Sequence, residues 1–406
     1  MLFFDSPFTN PYQNLALEEH LFTTLPTGES ALLLWQNENT IVVGKHQNAA
    51  QEINPDYVAT HGIKVARRLS GGGAVYHDMG NLNFTIITPT AAFEALHFQS
   101  FVKPVLETLT FFGLQGEFTG RNDITLDGKK ICGNAQYAKN GKLLHHGCIM
   151  LSTDLSQVGK ALRANAKKFD TKAVKSVASR VTTINTQAQA PIQMAEFKAK
   201  LTAFALAESP MQPLTLSTAD RAAITQLSEE KYSTVAWIYH RLPTSDAQHP
   251  TPAGHATTNT RQTMRTGHPQ RTVHTGQPQT DTAQITKEMR FAWGVVQATI
   301  TLTMQHVQAG ERTSNELLPQ TPDKCATQQP QPNAPLSQPN KTAQSPTIVD
   351  ITFTGDFFEG KPIETLALLL IGLPLNETLL STLRTLHISD YLQGCTSEDL
   401  YKLLIL

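Results

Sequence analysis

The order of apolar and polar positions predicts a mixture of helices and strands. Leu17, Leu21 and Leu25 recur at helical spacing on one face. Asn14 is the expected cap of that helix, with Glu18 and Glu19 in early turns where acidic groups suit the dipole. Ala31–Trp35 and Thr40–Val43 read as strands parted by the polar turn Gln36-Asn37-Glu38-Asn39. Asn81–Thr88 alternates, with Leu82, Phe84 and Ile86 on one face, and Val102–Phe112 suits a helix ended by Gly113. Asp127-Gly128 and Asn140-Gly141 are type I′ turn signals, so the strands bearing Lys130 and His146 belong to one antiparallel sheet. Alternation then puts Lys130 with Cys132 on one face, and Lys129 with Ile131 on the other.

This pattern stops at Pro243. From there to Thr286 the chain is Thr, Gln, Pro, His and Gly, which cannot bury enough surface to offset the entropy of ordering. Residues 243–286 therefore read as a disordered linker. His249, His255, His268 and His274 lie in it, but their spacing matches no compact metal-ligand pattern. Order returns at Lys287. Val296–Met304 and Ile348–Phe353 alternate as half-buried strands, on either side of a second Gln/Pro/Thr-rich tract at about 310–346. Two helices and a third, capped by Thr396 with Asp399, follow. The expected organisation is an α+β unit over residues 1–242, the linker, and a small α+β unit over 287–406 interrupted by the second tract.

A chain of 406 residues fits that division into two domains. Lys plus Arg number 33 and Asp plus Glu 34, so there is no basic surplus for binding nucleic acid through its backbone. Cys132, Cys148, Cys325 and Cys395 form no CxxC pair, which argues against a disulfide framework and a structural zinc site. Neither a basic, apolar leader nor an uninterrupted run of about 18 apolar residues occurs, so the expectation is a cytoplasmic protein without a membrane span.

The densest candidate chemistry is Arg67-Arg68-Leu69-Ser70-Gly71-Gly72-Gly73-Ala74-Val75-Tyr76-His77-Asp78. Three consecutive glycines let successive N–H groups approach a phosphate or carboxylate, and adjacent guanidinium groups add charge and a planar donor fork. An ordinary flexible turn is the plainer alternative, and the loop matches neither a Walker A motif nor GxGxxG. A second cluster is Gly120-Arg121-Asn122-Asp123 followed by Gly128-Lys129-Lys130-Ile131-Cys132-Gly133-Asn134-Ala135-Gln136, and a third is His145-His146-Gly147. One of the two adjacent lysines must face each side of the sheet. Asp123 is a candidate to hold Mg²⁺ between phosphates, or simply to cap a turn.

In combination these stretches resemble the lipoate–protein ligase A family. Gly80-Asn81-Leu82-Asn83-Phe84-Thr85 and Lys175-Ser176-Val177-Ala178-Ser179-Arg180-Val181-Thr182 extend the resemblance over about residues 1–240, and the C-terminal unit is similar to that family's accessory domain. The resemblance implies a biotin/lipoate-ligase-like mixed sheet flanked by helices. It implies ATP and Mg²⁺ as cofactors and lipoate as substrate, activated to lipoyl-AMP and transferred to a lysine. The acceptors would be lipoyl domains of 2-oxo-acid dehydrogenase acyltransferase subunits, the glycine-cleavage H protein, or both. Carried over, Arg68, Gly73, Ala74, Val75 and Tyr76 would bind ATP. Lys130 would contact both lipoate and ATP as the catalytic residue, and His77 and His146 would flank the acyl chain. Cys148 stands where a Thr is more usual and reads as a small buried residue. The two polar tracts are departures from the family pattern.

The nearest rival is an ATP-independent octanoyl or lipoyl transferase, whose cysteine nucleophile lies just upstream of the Lys hairpin. Gly116–Asp127 contains no cysteine. A biotin ligase would carry a Gly-Arg-Gly-Arg type loop in place of Ser-Gly-Gly-Gly. A catalytically silent lipoyl-binding protein is the remaining alternative, against which the intact Lys130 and glycine loop count.

Overall fold

The computed structural model describes residues 1–90, 98–119, 122–162, 180–239, 280–291, 294–305 and 345–405. Gly120, Arg121, the 175–179 part of the Lys-Ser-Val motif, Cys325 and most of both polar tracts lie outside the described residues. Eight strands form the central mixed sheet: β1 (Leu2–Asp5), β2 (Ala31–Trp35), β6 (Asn81–Pro89), β7 (Gly116–Thr119), β8 (Asp123–Leu126), β9 (Lys129–Lys139), β10 (Lys142–Met150) and β11 (Gln212–Pro213). Their spatial order is β11-β1-β2-β6-β10-β9-β8-β7. A second sheet in the same unit sets β3 (Thr40–Val43) between β4 (Lys64–Arg67) and β5 (Val75–His77).

Both faces of the central sheet are covered, so its middle strands β2, β6 and β10 are mostly buried. Leu82 and Phe84 pack with Val102, Val105 and Leu109 of helix Phe98–Phe111 and with Phe197 and Leu201 of helix Met194–Glu208. Leu33, Trp35 and Ile87 face helix α1 (Pro11–Thr24), whose Leu17 and Leu21 are buried as their spacing requires. Asn14 does not cap that helix. Asn10 does, its side chain accepting from Tyr12 N, with Pro11 in the first turn. Asn14 sits inside the helix, buried, with its amide bonded to three acceptors.

Asp127, Gly128, Asn140 and Gly141 all have positive φ, as type I′ turns demand. Strict alternation in β9 fails. A register shift leaves Thr125 opposite Lys130 and Ile124 opposite Cys132, so Ile131 is the extra residue of a bulge. Ile131 and Cys132 consequently both enter the same hydrophobic cluster, and Cys132 does not share a face with Lys130.

The C-terminal unit is a three-stranded antiparallel sheet of β12 (Thr280–Phe291), β13 (Gly294–Gln305) and β14 (Thr347–Gly355), backed by helices Ile363–Leu370, Leu379–Thr385 and Ser397–Ile405. Val296, Ala298, Ile300 and Leu302 are buried in its core. Thr396 and Asp399 form the expected reciprocal cap. The strand β12 begins at Thr280, inside the segment read as linker. Its Thr-rich start pairs with β13 in continuous register, which polar composition alone conceals.

The two units touch through the glycine-rich loop. Gly72 N donates to Phe357 O at 3.1 Å, and Gly355 N donates to His46 O at 2.9 Å. The His46 ring stacks on Phe357 with centroids 4.6 Å apart, and its Nε2 lies 3.2 Å from Glu359 Oε2. Lys45 also pairs with Glu359. Burial pushes the Glu359 carboxyl up, but His46 and Lys45 outweigh it and hold the group at about 2. Among the described residues, no helix is long and apolar enough to cross a membrane.

Candidate active site

A cavity of about 120 Å³ opens where β5, β6, β9 and β10 converge with the glycine-rich loop. Leu15, Trp35 and Val42 give it apolar walls, while Gly72, Gly73, Ala74 and Val75 supply loop backbone. Lys130, Asn134, His77, Asn83 and His146 add polar groups, and Phe358 of the C-terminal unit completes the wall.

Lys130 is held from several directions. Its N donates to Arg180 O at 2.8 Å and its O accepts from Thr182 N at 2.9 Å, so Arg180–Thr182 clamps the strand beside the bulge. Its ammonium lies 2.7 Å from Asp123 Oδ1. A Cβ on Gly133 would fall 2.7 Å from Lys130 Nζ, so the glycine makes room for the side chain to lie over the strand. Lys129 is exposed. Asp123 opens β8 as the partner of Lys130.

The two arginines of the loop motif have different tasks. Arg67 is fully buried and donates to the carbonyls of Gly44, Lys45, Gln47, Trp237 and Ile238, away from the cavity. Arg68 reaches the cavity wall, yet its nitrogens are engaged by Ser70 Oγ and by the carbonyls of Val42, Gly71 and Gly73. It shapes the loop from within. Burial lowers its pKa to about 10 against the pull of Glu18. Tyr76 faces the other way from Val75 and His77. It is buried in the cluster with Ile41 and Val65, so only its backbone is available on the cavity side.

His146 sits in a relay that the sequence did not suggest. Its Nε2 is 2.6 Å from Ser70 Oγ and its Nδ1 is 3.0 Å from Glu18 Oε1, which also accepts from Thr85 Oγ1. Facing a carboxylate, Nδ1 carries the proton, and in the neutral ring Nε2 accepts from the Ser70 hydroxyl. His145, its neighbour, lies between Phe84 and Phe101 and bonds Gln136. His77 is buried, its pKa lowered to about 3 by desolvation and then by Arg68 and His146.

Cys148 is half-buried in the cavity wall and accepts from Asn81 Nδ2 at 3.1 Å. Burial drives its thiol up to about 12, and the Cys132 thiol is pushed up by burial as well. Neither environment favours a thiolate. Glu18, Trp35 and Phe358 were missed from sequence as site residues, and Ser70 was singled out only as part of the glycine-rich run. Glu18 passes for a first-turn helix charge, and Phe358 is separated from the loop by most of the chain.

A cavity with an apolar side, a lysine and a glycine-rich backbone can take an apolar chain and an anionic group side by side. A family model for the lipoyl protein ligase A/B catalytic domain matches residues 10–205, and one for the bacterial lipoate protein ligase C-terminus matches residues 341–404. The chain is 41% identical over 235 residues to lipoate–protein ligase 1 of Staphylococcus aureus, covering 58% of this chain and 72% of that one. It belongs to the lipoate–protein ligase family. Among solved structures, a bi-partite lipoate protein ligase from Thermoplasma acidophilum, studied with its E2 lipoyl domain, matches with a TM-score of 0.55 at 26% identity, over 60% of this chain and 97% of that one. A lipoate-protein ligase A bound with ATP matches at 0.53 and 25%, over 59% and 98%.

Proposed function

We propose that the chain is an ATP-dependent lipoate–protein ligase. The observation that carries this reading is one cavity lined both by Leu15, Trp35 and Val42, which suit an acyl chain, and by Lys130 with the Gly73–Val75 backbone, which suit phosphate. In the first step a lipoate carboxylate oxygen attacks the α-phosphorus of ATP and pyrophosphate leaves. Lys130 stabilises the charge that develops between the two reactants. In the second step an acceptor lysine amine attacks the acyl carbonyl and AMP leaves, with the same ammonium polarising the carbonyl. Val75 and His77, on one face of β5, bring the nucleotide and acyl subsites together. Arg68 acts through the loop it braces.

A lone carboxylate at Asp123 fits magnesium in the usual manner, with the ion held by one protein carboxylate plus substrate phosphates. Lys130 must then release Asp123 and turn to the substrates. Lipoyl domains are the proposed acceptors, including those of acyltransferase subunits and the H protein, and the cytoplasm is the proposed compartment. The transferase reading needs a cysteine thiolate, and Cys148 in the cavity wall is held far from ionisation. Lipoate-dependent exchange of labelled pyrophosphate into ATP tests the proposal. A ligase catalyses it, and its absence from the purified protein with magnesium present would refute the reading.

A further inference from the structure

Resting on that reading, we propose that Asn37 is a positioning residue which fixes His77 as an Nε2–H donor, and that this donor and Asn83 Nδ2 bind the carboxylate oxygens of the acyl substrate. The argument starts at two backbone carbonyls. Phe8 O and Gln36 O lie 3.1 Å and 2.9 Å from one side-chain atom of Asn14, so that atom must be the amide nitrogen. Ser6 Oγ donates to the other side of the same amide at 2.7 Å, as an oxygen there requires.

The Asn14 nitrogen also lies 2.9 Å from the Asn37 side chain, whose near atom must therefore be oxygen. This leaves Asn37 Nδ2 facing His77 Nδ1 at 3.2 Å. An amide nitrogen only donates, so Nδ1 must be bare, and a neutral imidazole then carries its proton on Nε2. His146 has the opposite tautomer, because Glu18 faces its Nδ1. Adding a second proton to His77 would set N–H against N–H.

His77 Nε2 and Asn83 Nδ2 are both buried without a partner among the described residues, and both residues line the cavity that holds Lys130. Buried donors are ordinarily satisfied, and an unpaired one destabilises the protein until an acceptor arrives. Two neutral donors in a cavity also lined by Arg68 and Lys130 fit an oxygen anion. The apolar walls at Leu15, Trp35 and Val42 take the rest of the chain.

The test is ¹⁵N NMR of the ring nitrogens with calorimetric binding of lipoate and octanoate to the full chain. In the wild type, His77 Nε2 is protonated and Nδ1 bare, and either acid shifts the Nε2–H proton downfield. In Asn37→Asp a carboxylate oxygen faces Nδ1, which gains a proton. A residue that serves only the fold would not move that signal. His77→Gln retains an amide donor and keeps affinity, while His77→Leu and Asn83→Ala each lose about tenfold for both acids. Protonated Nδ1 in the wild type, or bare Nδ1 in Asn37→Asp, overturns the tautomer argument. Losses confined to lipoate would assign the donors to the ring sulfurs and overturn the carboxylate assignment, as would failure of the wild type to bind either acid. These measurements need no turnover, so missing pyrophosphate exchange would strike the ligase reading alone.

Discussion

Replacing Gly71 by alanine should lift the C-terminal unit off the glycine-rich loop. A Cβ at this position would lie 2.1 Å from Phe357 O, 3.1 Å from its carbonyl carbon and 3.2 Å from Phe358 Cα. All three are backbone atoms, so no side-chain rotation relieves the clash. Restoring ordinary contact takes a displacement of roughly 1.3 Å. That movement stretches the Gly72–Phe357 hydrogen bond beyond bonding distance and slides Phe357 off His46. The hydrogen bond is worth about 1 kcal/mol and the ring stack a similar amount, so docking should weaken by roughly 2 kcal/mol, about thirtyfold. Hydrogen exchange at the Gly72 and Gly355 amides and the radius of gyration report the change. Gly73→Ala is the control, because nothing lies within 4 Å of a Cβ there. Unchanged amide protection and size in Gly71→Ala would show that the loop does not hold the C-terminal unit in this way.

Lys130→Ala should reduce pyrophosphate exchange by about 10²–10³, the usual loss for one contact to developing charge, while exposed Lys129→Ala stays near wild type. Equal losses would mean that the wrong lysine has been assigned. Cys132→Ala and Cys148→Ala should both remain active ligases, since neither thiol is disposed to ionise, and a lipoyl thioester trapped on either would restore the transferase reading. Glu52 is raised to about 7, first by burial and then by Asp356 and Glu288 of the C-terminal unit. A carboxyl raised on docking favours the docked form fully below its ordinary value of 4.5 and loses that contribution as pH rises through about 7. Docking should therefore loosen as pH rises from about 4.5 to about 7 and level off above that, and Glu52→Gln should flatten the profile; an unaltered profile in the variant would count against Glu52 as its source.

Much of the fold was legible because local signals agree with the tertiary structure. Ala31–Trp35 and Thr40–Val43 have the expected ends, and both Asx-Gly turns have the expected backbone. Asn14 misled because asparagine favours caps by its local hydrogen bonding, and only the folded chain shows the remote carbonyls of Gln36 and the side chain of Asn37 that hold it inside a helix. The bulge at Ile131 is invisible to alternation, since both Ile131 and Cys132 are apolar enough to share a core. The site motifs identified Lys130, His77, His146 and Gly73–Val75 as cavity residues. They also set Arg68 apart from Arg67, which lies away from the cavity, but could not separate Tyr76 from its neighbours, because that difference lies in which way a strand faces.

Among the described residues, contacts between the two units run through His46, Gly71, Gly72, Phe357 and Glu359, positions far in sequence from the covalent connection between Tyr239 and Thr280. Continuity of the polypeptide is thus separable from assembly of the enzyme. A gene encoding the same two halves as independent products would still specify matching faces, and a tether would matter chiefly by raising the local concentration of one half around the other. Division and fusion of such a chain become nearly neutral events in its history, so long as the loop and the Phe357–Glu359 turn continue to recognise each other.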